Sequence, residues 1–407
     1  YTPGVAEPSR VLSKNPEMSF DLTSRWNTIA IVSDGTRVLG LGNIGPEGAY
    51  PVMEGKALIF KYLGGVDAFP LVHRARDAEK FLELLELIEP TYGGINLEDI
   101  EHPKCFYILD EARKRLNIPV WHDDQQGTAT ITMAGLINAL RVIGKKMSDI
   151  RIVLYGAGAA NVAIYRLLKN VKKDLENIVA IASKGVLHPE MEGIDRLMVK
   201  NKYQYEMAIE TKGGDLPAGA SVEDAFKGAD AVIAASVPGP GTIKKSWISK
   251  MNKNAIVFAL ANPVPEIWPW EAKEAGAKIV ATGRGDFPNQ INNSLVFPGV
   301  FRGVLDVRAK TITDEMALSA SYEIARFAEE KGLSEDYIVP TMEEWEIYPR
   351  IAASVATKAV EQGLARKTTT YKEELEKAGE IIGKTREKLA IIWQKGYIPK
   401  PIVDYNE

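Results

Sequence analysis

Two rhythms of apolar and polar positions divide the chain. In the first third, short apolar runs stand between stretches with helical spacing. Ile29-Ala-Ile-Val32 is apolar at every position and is stopped by the turn pair Asp34-Gly35, which predicts a short buried strand. Met53, Lys56, Ala57 and Phe60 recur at helical spacing within Val52 to Leu63. Phe81, Leu84, Leu85 and Ile88 make one face of a helix over Asp77 to Ile88, with Pro90 just past its end. A helix over Lys104 to Leu116 and a strand at Ile118-Pro-Val-Trp121 complete this part.

From about Gln126 the rhythm becomes regular. A long apolar helix, Thr128 to Ile143, leads into the strand Arg151-Ile-Val-Leu-Tyr155. Further strands are expected at Ile178 to Ile181, Ala231 to Ala235, Ala255 to Leu260 and Lys278 to Ala281. Strands apolar on both faces, separated by crossover-length segments, predict a parallel sheet covered by helices on both sides. From Asp314 onward the pattern is helical, over Met316 to Glu330, Arg350 to Gln362 and Tyr371 to Trp393.

Composition narrows the class without naming a chemistry. The 407 residues carry 50 Lys plus Arg against 54 Asp plus Glu, a formal charge of −4, so no general attraction to nucleic acid or anionic membrane is expected. Cys105 is the only cysteine, which excludes an intrachain disulfide. No apolar run reaches the ~18 residues needed to cross a bilayer. A cytoplasmic protein acting on a small molecule is expected. The first residue is Tyr1 rather than Met, from which we expect the natural start to lie upstream.

Gly156-Ala-Gly158-Ala-Ala-Asn161 follows the strand ending at Tyr155 and opens a helix expected over Asn161 to Asn170. This arrangement suits a dinucleotide pyrophosphate. Gly156 permits the tight turn, Gly158 lets the backbone come close, and the helix start at Ala159 and Ala160 offers free N–H groups to the anion. Asn161 stands where a third Gly or Ala is usual, which argues against close helix–strand packing. The next strand ends Ile181-Ala182-Ser183-Lys184, with no carboxylate to bind a ribose 2′-hydroxyl. Ser183 and Lys184 suit a 2′-phosphate, favouring NADP over NAD; a solvated loop lysine is the plain alternative. The fold class expected is α/β: a Rossmann-type parallel-sheet domain over 126–330, a smaller N-terminal α/β domain over 1–125, and C-terminal helices over 331–407.

Two acidic pairs end strands in the first third: Glu98-Asp99 after Ile95-Asn-Leu97, and Asp123-Asp124 after Val120-Trp121-His122. Gathered together, these carboxylates would repel one another unless a cation or protons intervened, and oxygen ligands favour Mg²⁺ or Mn²⁺. Separately, each pair reads equally well as a solvated turn or a helix cap.

Longer strings bear on the choice. Tyr1-Thr-Pro-Gly-Val-Ala6, Gly40-Leu-Gly-Asn-Ile-Gly45, Gly48 to Lys56, Gly94-Ile-Asn-Leu-Glu-Asp99, His122-Asp-Asp-Gln-Gln-Gly-Thr128, Ala261-Asn-Pro-Val-Pro-Glu266 and Asn289-Gln-Ile-Asn-Asn293 occur in this order. Together they resemble the malic enzyme family in its shorter prokaryotic form. The resemblance implies oxidative decarboxylation of L-malate to pyruvate and CO₂ with reduction of NADP or NAD. It also implies a Mg²⁺ or Mn²⁺ ion and a homodimer in which a neighbouring chain completes the pocket. By position, Glu98, Asp99 and Asp124 resemble the metal ligands, and Asp123 a carboxylate orienting the catalytic lysine. Lys56 resembles the general base and Tyr1 the general acid. Asn262 and Asn293 resemble the amides on the substrate carboxylates, Asn292 a nicotinamide contact, and Arg37 an arginine on malate. A malolactic-type decarboxylase and a simple malate dehydrogenase are the rivals. His122 is expected to be a satisfied core histidine and Cys105 a packing residue. Lys372, Lys377, Lys384, Arg386 and Lys388 are expected on a solvated helix face, with a dimer contact as the alternative.

Overall fold

A computed structural model describes residues 1–172 and 174–398. Two sheets carry the chain. The first is parallel throughout, in the order β2-β1-β3-β4, with β1 at Thr28–Ser33, β2 at Asp67–Val72, β3 at Gly94–Leu97 and β4 at Val120–His122. The second runs β10-β9-β8-β5-β6-β7, built from β5 (Ile152–Tyr155), β6 (Ile178–Ala182), β7 (Gly185–Val186), β8 (Ala231–Ala234), β9 (Ala255–Ala259) and β10 (Ala277–Thr282). All its pairings are parallel except the short β6–β7 return. The strand order reverses at β5, between β6 and β8, and such a switch point leaves a crevice at the strands' carboxyl ends.

Most strands of the second sheet are buried at nearly every position, as doubly covered parallel strands require. Three departures from the sequence reading bear on the architecture around Lys56 and its sheet. Strand β2 was not expected: it is a half-exposed edge strand containing Pro70, where a missing N–H costs no ladder bond. The helix around Lys56 spans Gly45–Gly64 and so starts earlier than Val52, with Pro46 in its first turn, where proline is tolerated. The helix Phe297–Asp306 was also missed, because all of its residues are buried and no polar face marks its period.

That buried helix ties the ends of the chain together. Phe297 and Phe301 pack on Phe60 at ring distances of 4.5 and 5.2 Å, and Arg302 Nη1 donates to Asn27 Oδ1 at 2.6 Å. On its other side a Cβ at Gly303 would lie 2.4 Å from the Ala352 carbonyl oxygen, so only glycine lets the helix Ile347–Glu361 come this close. The C-terminal helix Tyr371–Gln394 exposes Lys372, Lys377, Lys384 and Lys388, as expected of a solvated face, while Arg386 is half-buried. Its Lys377 reaches the buried Asp306 at 2.8 Å, and the Arg386 guanidinium lies 4.3 Å from the Tyr62 ring. Among the described residues no helix is long and apolar enough to cross a membrane.

Candidate active site

Parallel pairing of β3 with β4 sets Leu97 beside His122, so the acidic pairs that follow leave neighbouring strand ends together. Carboxylate oxygens of Glu98, Asp99 and Asp124 all lie within 4.8 Å of one another. Asp99 adopts φ 55°, a left-handed conformation that aspartate tolerates better than most side chains. The bend is held by Asp99 N–H donating to Asp124 Oδ2 at 2.9 Å and by Arg37 N–H donating to the Asp99 carbonyl at 3.0 Å. Asp123 and Asp124 do not cap a conventional helix start; they open a π-type turn, Asp123–Gly127, that runs into the helix Thr128–Ile143.

Lys56 enters this cluster from the helix Gly45–Gly64. Only 8% exposed, its ammonium pairs with Asp123 and lies 2.9 Å from Glu98 Oε2. The Phe297 ring closes one side, 4.3 Å from Nζ. Trp121 Nε1 donates to Asp123 Oδ1 at 2.9 Å and Asn96 Nδ2 to Glu98 Oε2 at 2.9 Å, which orients both partners of the lysine. Neither Trp121 nor Asn96 was singled out from sequence; their place just before the acidic pairs was the available signal.

Burial raises the carboxyl groups of all four acids above their ordinary range, and repulsion from neighbouring carboxylates adds to it at Glu98, Asp99 and Asp123. Asp99 is pushed up to about 8. Burial disfavours the Lys56 ammonium, but the charges of Asp123 and Glu98 outweigh it and hold the group above its usual value. The lysine of the ligand-free chain is therefore charged, the opposite of what a waiting base requires. His122 is not the satisfied core residue expected: it is buried with neither ring nitrogen hydrogen-bonded, and burial lowers it to about 3. Cys105 is buried among apolar side chains, as expected.

The glycine turn lies at the carboxyl end of β5, at the switch point. Gly156 has φ 98°, and a Cβ there would stand 2.5 Å from the Ala235 carbonyl oxygen, so glycine is required. The helix Ala159–Val171 starts at once, without a side-chain cap. Asn161 does not loosen the packing: its amide is buried and donates to three carbonyls of the turn and of β8. Ser183 and Lys184 are exposed on the turn between β6 and β7, beside the Ile181 carbonyl that accepts from Gly156 N–H.

Near neighbours place most of the remaining residues. A Cβ on Gly127 would come 2.9 Å from Asn293 Cβ and 2.0 Å from Asp123 Oδ1, which places Asn293 beside the acidic turn. Asn262 adjoins Gly40 and Gly283, and Asn292 donates to the Gly283 carbonyl at 3.3 Å. Arg37 is near enough to lower the carboxyls of Asp99 and Asp124. Tyr1 is not brought in: its side chain is fully exposed, whereas Lys56 is buried.

A nucleotide-type turn at a switch point, in a chain that also gathers a lysine among four carboxylates, defines a dinucleotide-fold α/β protein with a buried acidic cluster. The chain belongs to the malic enzyme family. Residues 1–113 match the model for the malic enzyme N-terminal domain and residues 125–360 that for the malic enzyme NAD binding domain. It is 47% identical to the bifunctional malic/malolactic enzyme of Bacillus subtilis, over 94% of this chain and 90% of that protein. Identity to the NAD-dependent malic enzyme of Geobacillus stearothermophilus is 44%, over 90% and 74% respectively. The crystal structure of Entamoeba histolytica malic enzyme superposes with a TM-score of 0.94 at 45% identity, covering 98% of this chain and 82% of that one.

Proposed function

We propose that this protein oxidises and decarboxylates L-malate to pyruvate and CO₂, reducing NADP in preference to NAD and requiring Mg²⁺ or Mn²⁺. The observation that carries the reading is the meeting of Glu98, Asp99 and Asp124 oxygens beside a buried lysine. This donor set fits a hard divalent cation: it is all oxygen, and Asp99 Oδ2 is buried with no partner. When bound, the cation supplies Lewis-acid polarisation of the C2 oxygen and the nicotinamide ring accepts the C2 hydride.

Lys56 takes the C2 hydroxyl proton. Commitment of Glu98 to a cation would remove one of the two charges that hold the lysine protonated, leaving Asp123 to orient it. Asn262 and Asn293 hold the substrate carboxylates, Arg37 assists from the Asp99 side, and Asn292 supports the nicotinamide. The C3–C4 bond breaks with release of CO₂, and C3 takes a proton from Tyr1, so the proton lost at oxygen is balanced at carbon. Because Tyr1 is exposed in the single chain, we propose a homodimer whose second copy completes the pocket. Gly156, Gly158, Ala159 and Ala160 receive the pyrophosphate, and Ser183 and Lys184 the 2′-phosphate. We also propose the division 1–125, 126–330 and 331–407, and a cytoplasmic location.

One spectrophotometric experiment tests this. L-malate with NADP or NAD should yield reduced cofactor and CO₂ in equal amounts, abolished by chelation. Oxaloacetate released intact would make the protein a simple malate dehydrogenase. Lactate without net cofactor reduction would make it a malolactic decarboxylase, an outcome worth scoring because the Bacillus subtilis relative is named for both activities.

A further inference from the structure

The glycine turn is gripped from behind by two side-chain amides. Asn161 Nδ2 donates to the carbonyls of Gly156 at 2.8 Å, Tyr155 at 3.1 Å and Ile233 at 3.2 Å. Gln204 Nε2, from the helix Lys202–Thr211, donates to the carbonyl of Ala157 at 2.8 Å. A trans peptide plane carries its C=O and the next residue's N–H on opposite sides. Pinning the Gly156 carbonyl therefore aims the Ala157 N–H away from Asn161, and pinning the Ala157 carbonyl aims the Gly158 N–H away from Gln204. Neither N–H has an acceptor among the described residues.

The grip matters because glycines stand on both sides of Ala157. Glycine populates positive and negative φ almost equally, so the two peptides between Gly156 and Gly158 are the least self-locking in the turn. A flip of either would present a carbonyl oxygen, rather than an N–H, to an arriving anion. Neutral amides suit the task. They donate without bringing a charge into a place where Asn161 is wholly buried.

We infer that Asn161 and Gln204 form an amide clamp that positions the N–H groups of Ala157 and Gly158 for the cofactor pyrophosphate. The inference rests on the dinucleotide reading above. Both are positioning residues, acting through the backbone they hold.

Gln204→Leu keeps the size and removes the donor; Asn161→Ala strips three carbonyls at once and risks the fold, so Gln204 carries the test. NADPH and Mn²⁺ are titrated calorimetrically against the full chain, and hydrogen exchange is followed in the peptide spanning 154–160 without ligand. One neutral hydrogen bond corresponds to about a 2- to 10-fold change. NADPH should bind Gln204→Leu about that much more weakly, with Mn²⁺ affinity unchanged and faster exchange in the turn. Gln204→His, which restores an N–H donor, should recover part of the loss. NADPH affinity equal to wild type overturns the clamp, as does weaker binding with unchanged exchange, which would mean direct contact instead. Wild-type protein that binds neither NADPH nor NADH overturns the dinucleotide reading itself.

Discussion

Glu374→Gln is expected to alter how stability depends on pH. Glu374, on the C-terminal helix, is 1% exposed and faces Asp306, the last residue of the buried helix Phe297–Asp306. Asp306 already holds the available cations: its Oδ2 accepts from Arg302 Nε at 2.7 Å, and its Oδ1 from Arg302 Nη2 at 2.9 Å and Lys377 Nζ at 2.8 Å. Burial and the Asp306 charge push Glu374 up to about 9, so near neutrality it keeps its proton and donates to Asp306. Its Oε1 has no partner. Unfolded, the group titrates near ~4.3.

Between those two values the folded chain binds a proton that the unfolded chain has released. The contribution is therefore complete below the unfolded value and is lost as pH rises toward the folded one. The limiting slope is about 1.4 kcal/mol per pH unit, and coupling to Asp306 reduces it, leaving on the order of 1–3 kcal/mol between pH 5.5 and 8.5. Glutamine keeps an N–H for Asp306 and does not titrate. At about 2 cal/mol/K of unfolding entropy per residue, a chain of 407 residues turns that difference into a Tm gap of about 1–4 °C. Scanning calorimetry at pH 5.5, 7.0 and 8.5 should show the variant gaining on wild type as pH rises. A variant-minus-wild-type difference in Tm that stays constant, or falls, as pH rises refutes the protonated Glu374. The result bears on the reaction centre, because this cluster anchors the helix whose first residue, Phe297, closes over Lys56.

Three substitutions test the site directly. Asp124→Asn should weaken Mn²⁺ binding by more than about 10-fold in calorimetry, and undiminished binding would remove Asp124 from the ligand set. Asp123→Asn should lower kcat by about 10²- to 10⁴-fold while leaving Mn²⁺ affinity within a few fold, since it orients Lys56; parallel losses would make it a ligand instead. Ala182→Asp places a carboxylate at the end of β6, and kcat/KM with NADP should fall at least about 10-fold more than with NAD. Equal effects on both cofactors would show that β6 does not choose between them.

What could be read from the residues, and what could not, follows from the range of each signal. The strands β5, β6, β8, β9 and β10 were legible because they are apolar on both faces, and the helix Thr128–Ile143 because its apolar run ends at Gly144, which takes a left-handed turn. Asp77 announced its helix by capping it, accepting from Glu79 N–H and Lys80 N–H. Edge strand β2 and the wholly buried helix Phe297–Asp306 lack the alternation that separates inside from outside. Asn161 was misread for a different reason: its worth depends in part on Ile233, 72 residues away, which no local spacing reveals. The string matches suggested the roles proposed for Lys56 and the four acids, but the charged state of the lysine emerged only with its distances to Glu98 and Asp123.

That charged state is itself part of the argument for a cation. With every carboxyl ionised, Glu98, Asp99, Asp123 and Asp124 would bring four negative charges against the one positive charge of Lys56 in a largely buried space. The ligand-free chain eases this at Asp99, which burial and the Asp124 charge push up to about 8, so that it keeps its proton near neutrality. A dication among Glu98, Asp99 and Asp124 would replace that proton, and with Arg37 alongside it would bring the centre close to neutral. The same exchange would strip the lysine of one partner and place positive charge beside it, favouring the free amine. Cation binding should therefore release protons in stoichiometric amounts, measurable by calorimetry in buffers of different ionisation enthalpy. Binding without proton release would mean that the carboxyls were already ionised, and that something other than the cation prepares Lys56 to act.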